Sequence, residues 1–464
     1  MSLIQRTFSP VDGSLYVERE LAGVTELTRT VERARRAQAE WRRVPLSQRC
    51  ALAQAFIERF RAHQDDIARE LTWQIGRPIR YCPGEVRGLS ERAAYMTEIA
   101  PAALADIDVG PKPGFARYIR RDPLGVVLVL APWNYPYLTA VNSVIPALLA
   151  GNAVILKHSD QTPLCAERFQ DAISEAGFPE NIFQVVHADH ASIGALIGSG
   201  AVDFVAFTGS VAGGDAVQRA AAQRRVPVGL ELGGKDPAYV REDADFKAAV
   251  ENLVDGAFFN SGQSCCGIER VYVAAPLFDR FVEAFVALTK EYKLGRPLDP
   301  EITLGPVVRA SAADFVRGQI REAVKLGARA LIDPKHFAAD APGTPYLAPQ
   351  VLINVDHGMR VMSDESFGPV VGLMPVANDA EAVALMNDSR YGLTASIWTN
   401  DRSAAERLGD QLATGTVFMN RCDYLDPALA WTGVKDSGRG CTLSRLGYEA
   451  LTRPKSFHLK LSAS

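Results

Sequence analysis

The chain has 464 residues, of which 47% are hydrophobic and 22% are charged, and its formal net charge is -4. This length predicts two or three domains, and the composition is that of a soluble globular protein. The weak negative charge gives no electrostatic support to nucleic-acid binding.

Membrane insertion and secretion also find no support in the sequence. The longest apolar segment, residues 141–150, is too short to span a bilayer and contains Pro146. The first residues lack the apolar core of a signal peptide. The seven cysteines lack the paired spacing of a zinc site, so no metal is predicted. We expect free thiols and a cytoplasmic location.

The predicted elements change in character along the chain. From Thr28 to about Leu104 apolar residues recur at helical spacing, and residues 115–119 then alternate as in a strand. After Pro123 short apolar runs alternate with helical segments, which predicts a doubly wound α/β domain. Its predicted strands are Val126–Leu130, Val154–Leu156, Phe183–Val186, Phe204–Phe207 and Val226–Leu230. A second α/β series begins at Asp243, with predicted strands at Val271–Ala274, Ala330–Ile332, Val351–Ile353 and Val370–Pro375.

Three motifs carry residues suited to covalent chemistry on a carbonyl group. Asn134 lies in APWNYP at 131–136, Glu231 in GLELGGK at 229–235, and Cys265 in FFNSGQSC at 258–265. A thiolate can attack the carbonyl, an amide can stabilise the oxyanion, and a carboxylate can activate water to release the acyl group. Each residue alone also has a purely structural interpretation.

In this order and spacing, the three motifs resemble those of the aldehyde dehydrogenase superfamily, over nearly the whole chain. The resemblance implies an α/β fold with two doubly wound domains and a small β oligomerisation domain. It places the NAD-binding domain at residues 1–104 and 124–232 and the catalytic domain at 233–451. The oligomerisation domain would be 105–123 and 452–464, in a homodimer or dimer of dimers.

The resemblance also assigns a cofactor site. Gly209 and Ser210 follow a predicted strand, with Gly214 five residues after Gly209. Such a turn can bind a pyrophosphate at a helix N-terminus, although the usual G-x-G-x-x-G is absent and the spacing alone is weak evidence. The further cofactor residues implied by the resemblance are Pro132, Trp133, Lys157, Ser159, Asp160, Leu232, Glu365 and Phe367. The carboxylate of Asp160 at the ribose position favours NAD, and NADP stays open because aspartate is one methylene shorter than the usual glutamate.

Two departures from the family pattern concern proton transfer. Many members carry a lysine and a glutamate that relay the proton of the general base, and the matching positions here are Ser143 and Thr442. We therefore expect slower or differently pH-dependent deacylation. Glu231 itself favours hydrolysis to the free acid over acyl transfer to coenzyme A. Cys266 matches no catalytic position and is interpreted as a bystander.

The predicted substrate is an aldehyde oxidised to its carboxylic acid. The resemblance places five residues along the substrate tunnel: Tyr135, Thr139, Asn142, Phe259 and Trp431. Three are aromatic, which favours an apolar aliphatic or aromatic aldehyde. Succinic or another semialdehyde is the alternative, with Arg421 as a candidate cation in place of the arginine that Phe259 replaces. A catalytically idle scaffold on the same fold, or a cysteine hydrolase without a dinucleotide, would be alternatives of another class.

Overall fold

A computed structural model describes residues 3–461. Residues 1–2 and 462–464, which fall in the predicted first and third domains, lie outside the described residues. The helices are α1 Val24–Trp41, α2 Leu46–Ala62, α3 Gln64–Ile75, α4 Pro83–Ala103, α5 Pro136–Leu149, α6 Pro163–Glu175, α7 His190–Ser199, α8 Val211–Ala222, α9 Phe246–Phe258, α10 Phe278–Thr289, α11 Ala310–Lys325, α12 Arg360–Ser363, α13 Asp379–Asn387, α14 Arg402–Gly409 and α15 Ser444–Ala450. The strands are β1 Ile4–Phe8, β2 Leu15–Glu20, β3 Ile107–Asp108, β4 Phe115–Pro123, β5 Val126–Ala131, β6 Ala153–His158, β7 Phe183–Val185, β8 Phe204–Thr208, β9 Val228–Glu231, β10 Asp236–Val240, β11 Ile268–Ala274, β12 Arg329–Ala330, β13 Gln350–Ile353, β14 Val370–Val376, β15 Thr394–Trp398, β16 Thr416–Met419, β17 Gly438–Arg439 and β18 Thr452–Lys460.

The first large sheet has six strands in the order β17-β9-β8-β5-β6-β7. All its neighbours are parallel except β17, which runs antiparallel to β9. Strands β5 and β6 are buried along their whole length, as expected of a parallel sheet covered by helices on both faces. The parallel strands of a doubly wound sheet carry their functional loops at the carboxyl edge.

The second large sheet has seven strands in the order β12-β13-β14-β11-β10-β15-β16. Only β12 is antiparallel to its neighbour, and the central strands β10 and β11 are completely buried. Two parallel α/β sheets confirm the predicted fold class.

A smaller sheet joins distant parts of the chain. Strands β18, β4 and β3 pair antiparallel, with Thr452 opposite Pro123 and Lys460 opposite Phe115. The two segments expected to form a small β unit therefore lie in one sheet. The domain boundaries themselves stay a prediction.

Several features differ from the sequence prediction. A hairpin of β1 and β2 precedes the helices, and β10, β15 and β16 were not predicted. The predicted strand Ala330–Ile332 is wrong for residues 331 and 332, because β12 ends at Ala330. Strand β17 and helix α15 fall within the predicted catalytic segment, yet β17 extends the first sheet and Tyr448 of α15 is buried in that sheet's core.

No helix within residues 3–461 is both long enough and apolar enough to cross a membrane.

Candidate functional site

Two cavities of similar size meet at Thr208, the last residue of β8. The tunnel, about 460 Å³, is lined by Cys265 and Glu231 and by side chains of α4, α5 and α9. The groove, about 450 Å³, is lined by residues at the carboxyl ends of β5, β6 and β8. A site that spans both cavities can bring together a small molecule in each.

Cys265 lies on a strained loop that follows α9. Asn260 and Ser261 adopt left-handed backbone conformations, with φ of 52° and 58°, which residues other than glycine rarely adopt. At Gly262 an added Cβ would come within 2.3 Å of the Gly368 carbonyl oxygen, so only glycine fits. The loop leaves the Cys265 side chain partly exposed at the tunnel.

Asn134 is tied to the Cys265 loop. Its Nδ2 donates a hydrogen bond to the carbonyl oxygen of Gln263 at 3.2 Å, two residues before the cysteine. The side chain is buried, and an amide NH₂ carries two donors. One N–H of Asn134 therefore fixes its position while the second is free for a ligand.

A buried ion pair, missed by the sequence analysis, holds this arrangement. Arg77 and Glu85 lie 2.8 Å apart, and both side chains are almost completely buried. Arg77 Nε donates to Asn260 Oδ1 at 2.9 Å, and its Nη2 donates to the Asn134 carbonyl oxygen. Glu85 Oε2 accepts hydrogen bonds from the Tyr137 and Leu138 amides in the first turn of α5. A single pair thus connects the Asn134 segment, α5 and the Cys265 loop.

Glu231 ends β9 and accepts two hydroxyl hydrogen bonds. Thr442 Oγ1 donates to Oε1 at 2.5 Å, and Thr208 Oγ1 donates to Oε2 at 3.2 Å. Burial raises the pKa of Glu231, while the Thr442 and Thr208 hydrogen bonds and Arg92 act in the opposite direction. A raised pKa brings a carboxyl group closer to the range in which it can exchange protons near neutral pH.

The two positions that depart from the family relay lie together behind Glu231. Ser143 and Thr442 both line a separate cavity of about 100 Å³ that Glu231 also borders. Thr442 is in direct contact with Glu231, which the sequence analysis did not foresee. The carboxylate is therefore hydrogen-bonded by a hydroxyl at the position where many family members carry a glutamate.

Cys266 lies outside the reactive position. Its Sγ donates to Asp423 Oδ1 at 2.9 Å, and Ser264 Oγ donates to the same oxygen at 2.9 Å. The hydrogen bond with Cys265, followed by burial, raises the pKa of the Cys266 thiol. A thiol held protonated is a poor nucleophile, in agreement with its interpretation as a bystander.

The groove has the features of an anion-binding helix terminus. Ser210 caps α8, and its Oγ accepts a hydrogen bond from the Gly213 amide at 3.2 Å. At Gly213 an added Cβ would meet the Phe207 ring at 2.7 Å. The helix N-terminus presents free amides and a positive dipole end.

Most of the predicted groove residues line it: Pro132, Trp133, Lys157, Ser159, Asp160, Gly209 and Ser210. Gly214, Leu232, Glu365 and Phe367 do not. Gly214 packs on Leu232, where a Cβ would come within 2.6 Å of Leu232 Cδ2, and Leu232 borders the tunnel. The groove is also lined by residues that were not predicted: Gly213, His190 and Arg309. Gly213 was missed because a glycine spacing alone does not tell which glycine faces the cavity.

Lys157 provides a test of what the groove can hold. Its side chain is buried, and among residues 3–461 no carboxylate lies within 4.0 Å of its ammonium group. A buried cation without an acidic partner, beside a helix N-terminus, fits a polar and anionic ligand such as a dinucleotide.

Glu365 and Phe367 lie where the groove approaches the Cys265 loop. Glu365 Oε1 accepts a hydrogen bond from the Gly234 amide at 3.0 Å, and burial raises the pKa of Glu365 to about 8. Phe367 packs edge-on against Trp133 with ring centroids 5.6 Å apart. The buried Lys235–Glu269 ion pair fixes this segment, because Glu269 accepts the Phe367 amide at 2.9 Å.

The tunnel contains all five predicted residues, namely Tyr135, Thr139, Asn142, Phe259 and Trp431. It also contains charged residues that the sequence analysis missed: Arg77, Glu85, Arg87, Glu91, Arg92, Asp255 and Asp423. Arg421, the candidate cation, does not line it and instead covers the Tyr424 ring at 3.4 Å. The tunnel therefore combines an aromatic lining with charged groups.

The described ranges contain no group of three or more histidine, cysteine and acidic residues that could hold a metal.

Comparison with known proteins gives a consistent result. Residues 4–457 match the model of the aldehyde dehydrogenase family. The chain is 34% identical over 443 residues to succinate-semialdehyde dehydrogenase (NADP(+)) 1 of Mycobacterium tuberculosis, covering 95% of this chain and 96% of the relative. It is 35% identical over 461 residues to 3,6-anhydro-alpha-L-galactose dehydrogenase of Streptomyces coelicolor, covering 97% and 92%. The solved structure of betaine aldehyde dehydrogenase from Staphylococcus aureus in complex with NAD+ has a TM-score of 0.93 at 27% identity, covering 100% of this chain and 92% of the other.

Proposed function

The chain belongs to the aldehyde dehydrogenase family, and from this premise we propose that it oxidises its substrate through a covalent intermediate on Cys265. It is an oxidoreductase that converts an aldehyde to a carboxylic acid with NAD(P)+. The observation that carries the proposal is the hydrogen-bonded connection of Asn134 to the Cys265 loop, beside a tunnel that Glu231 also lines.

Cys265 is the nucleophile and Asn134 the oxyanion donor. The Cys265 thiolate forms a bond to the carbonyl carbon, and the carbonyl oxygen becomes the oxyanion of a thiohemiacetal. The free N–H of Asn134 and the Cys265 backbone amide stabilise that charge. One such donor contributes about 10²–10³-fold to turnover. The Arg77–Glu85 pair is a positioning element, because it touches the loop and the Asn134 carbonyl oxygen rather than the reacting atoms.

Glu231 is the base for hydrolysis. Its carboxylate takes a proton from water, the water oxygen attacks the thioester carbon, and the Cys265 thiolate leaves. The raised pKa of Glu231 suits this role. Thr442 and Thr208 each hold one oxygen of the carboxylate in place, and the carboxylate borders the tunnel from which water would enter.

The groove holds the cofactor. The α8 N-terminus with Gly209 and Ser210 would bind the pyrophosphate, Lys157 and Asp160 the adenosine ribose, and Glu365 and Phe367 the nicotinamide end. When bound, NAD(P)+ supplies the acceptor for the hydride that leaves the thiohemiacetal carbon. The carboxylate of Asp160 favours NAD over NADP.

The substrate is an aldehyde whose body contacts aromatic side chains. Tyr135, Phe259 and Trp431 give an apolar lining that suits an aliphatic or aromatic group. A second candidate is an aldehyde that carries a carboxylate, and it is favoured by the charged residues in the tunnel and by the similarity to a succinate-semialdehyde dehydrogenase.

The test is spectrophotometric. Purified protein is assayed with NAD+ and with NADP+ against butanal, benzaldehyde and 4-oxobutanoate, and reduced cofactor is followed. We expect turnover that Cys265→Ala abolishes and that the matched control Cys266→Ala preserves. Full turnover by Cys265→Ala would contradict the covalent mechanism. Cofactor binding without turnover of any aldehyde would favour the idle scaffold, and acyl hydrolysis without cofactor would favour a hydrolase.

A homo-oligomer formed through the sheet of β3, β4 and β18 is also part of the proposal. The predicted assembly is a homodimer or a dimer of dimers, and light scattering after size exclusion measures it directly. A monomer at micromolar concentration would contradict it.

A further inference from the structure

Arg92 is a buried cation in the tunnel that the mechanism above does not use. It lies on α4, is 8% exposed, and lines the tunnel together with Cys265 and Glu231. Its Nη1 donates to the Leu138 carbonyl oxygen at 2.6 Å and to Asn142 Oδ1 at 3.2 Å. Both acceptors are neutral, so they orient the guanidinium without compensating its charge.

The carboxylates whose charge acts on Arg92 are those of Glu85 and Glu231, and both already accept hydrogen bonds from other groups. Among residues 3–461 no carboxylate lies within 4.0 Å of the Arg92 guanidinium. Both oxygens of Glu85 are engaged, one by Arg77 and the other by two backbone amides. Asp423 Oδ1 accepts hydrogen bonds from Ser264 and Cys266. Glu91, a further acid that borders the tunnel, is exposed to solvent.

The other tunnel arginines differ from Arg92. Arg77 is paired with Glu85, and Arg87 is exposed to solvent. An arginine stays charged even where burial opposes the charge. Burial lowers the pKa of Arg92, and the charges of Glu85 and Glu231, which act in the opposite direction, do not offset it. An anion entering the tunnel would therefore gain more at Arg92 than at either other arginine.

The free edge of the guanidinium has the geometry of a carboxylate site. Nη1 makes both hydrogen bonds of Arg92 within the described residues. Nε and Nη2 have no partner there, and neither atom is fully buried. Nε–H and Nη2–H point in parallel and match the two oxygens of a carboxylate. Asn142, whose Oδ1 accepts from Nη1, has a buried Nδ2 with no hydrogen-bond partner in the part of the chain that the structure describes.

We propose that Arg92 binds the distal carboxylate of an ω-oxo acid substrate through Nε and Nη2, with Asn142 holding the guanidinium in place. This inference rests on the aldehyde oxidation proposed above and names its substrate class. The aldehyde end would meet Cys265 while the acid end is held at α4, and the aromatic residues would contact the methylene chain. Arg92 is then the residue that separates ω-oxo acids from neutral aldehydes.

The test compares substrates that differ only in the terminal group. kcat/KM is measured for 4-, 5- and 6-carbon ω-oxo acids and for the n-alkanals of the same length, in the wild type and in Arg92→Gln. We expect the wild type to prefer the acid at one chain length. Arg92→Gln should lower kcat/KM for that acid by about 10²-fold, the size expected when one partner of a buried charge pair is removed. The change should be in KM, and the matched alkanal should change by less than about threefold.

Two further variants separate binding from structure. Arg69→Gln, an exposed arginine of α3 outside the tunnel, should leave both substrates unchanged, and Arg92→Lys should restore part of the preference for the acid. Equal losses for acid and alkanal in Arg92→Gln, or no preference in the wild type, would overturn the proposal. Absence of turnover with every aldehyde would instead contradict the proposed function.

A measurement on the unaltered protein is independent of how Arg92→Gln folds. Succinate should inhibit butanal oxidation competitively, at a concentration at least about tenfold below that required for butanoate, because a tenfold ratio corresponds to a single net charged hydrogen bond. Equal inhibition by the two would overturn the proposal.

Discussion

The groove and the tunnel meet at Thr208 and are nearly equal in volume, yet they are lined differently. The groove is lined by residues at the strand ends of one sheet and at a helix N-terminus that carries Gly209 and Gly213. The tunnel is formed by side chains from α4, α5, α9 and the segment 422–425. The difference indicates that cofactor binding tolerates many sequences, whereas the tunnel depends on a few side chains that only the folded protein brings together.

If the tunnel depends on single side chains, the largest effect should come from Glu231→Gln. The amide cannot accept a proton, so the steady-state rate should fall by about 10²–10⁴-fold, the range for a general base. Acyl-enzyme formation does not need this base, so a burst of one reduced cofactor per site should remain in stopped-flow traces. The exposed tunnel residue Glu91→Gln is the control. Loss of the burst along with turnover would show that Glu231 also acts before deacylation.

The ion pair that supports the Cys265 loop can be broken at Arg77. Arg77→Met leaves the Glu85 carboxylate buried without its partner, which should destabilise the fold by about 3–5 kcal/mol. The effect is measured as a fall in Tm by calorimetry, and exposed Arg87→Met should have almost the same Tm as the wild type. The double variant with Glu85→Gln should recover part of the loss. An unchanged Tm for Arg77→Met would show that the pair does not support the loop.

On the groove side, effects of side chains should be smaller. Asp160→Ala removes a carboxylate from the predicted ribose position, and we expect the ratio of kcat/KM for NADP+ to that for NAD+ to rise about tenfold. Asp171→Ala, an exposed aspartate on α6, is the matched control. A ratio that does not change would mean that backbone and Lys157 alone determine the preference.

The smallest expected effect concerns Thr442. Its hydrogen bond lowers the pKa of Glu231, so Thr442→Val should raise that pKa further. A base is active only above its pKa, and the acidic limb of the deacylation profile should therefore move to higher pH, by up to about one unit for one hydrogen bond. Thr414→Val is the control and should leave the pH profile unchanged, because the Thr414 hydroxyl donates to the nearby Thr416 carbonyl oxygen. A shift to lower pH would contradict the assigned direction.

Local motifs indicate the groove because they determine its backbone. A strand followed by Gly209 and Ser210 and then by a helix specifies the conformation that lines the groove. That Gly214 does not line it has a physical cause. Gly213 and Gly214 are adjacent on α8, and only the packing of Leu232 decides which of them faces the cavity.

The tunnel was predicted in its aromatic residues but not in its charges. Arg77 and Arg92 lie in a helical region whose apolar periodicity indicates only that one face is buried. Which arginine is paired and which is free depends on the position of Glu85 relative to α5. The contact of Thr442 with Glu231 likewise follows from the pairing of β17 with β9, a strand of two residues that no periodicity reveals.

The pairing of β4 with β18 and of β9 with β17 also determines when the protein can finish folding. The partners β17 and β18 lie near the C-terminal end and far from β9 and β4 in the chain, and contacts of such high sequence separation form late and slowly. During synthesis on a ribosome, β9 therefore remains an unpaired edge of the first sheet until nearly all of the chain has emerged. An open edge of that kind pairs readily with other chains. The yield of active enzyme on refolding should therefore fall as the protein concentration rises.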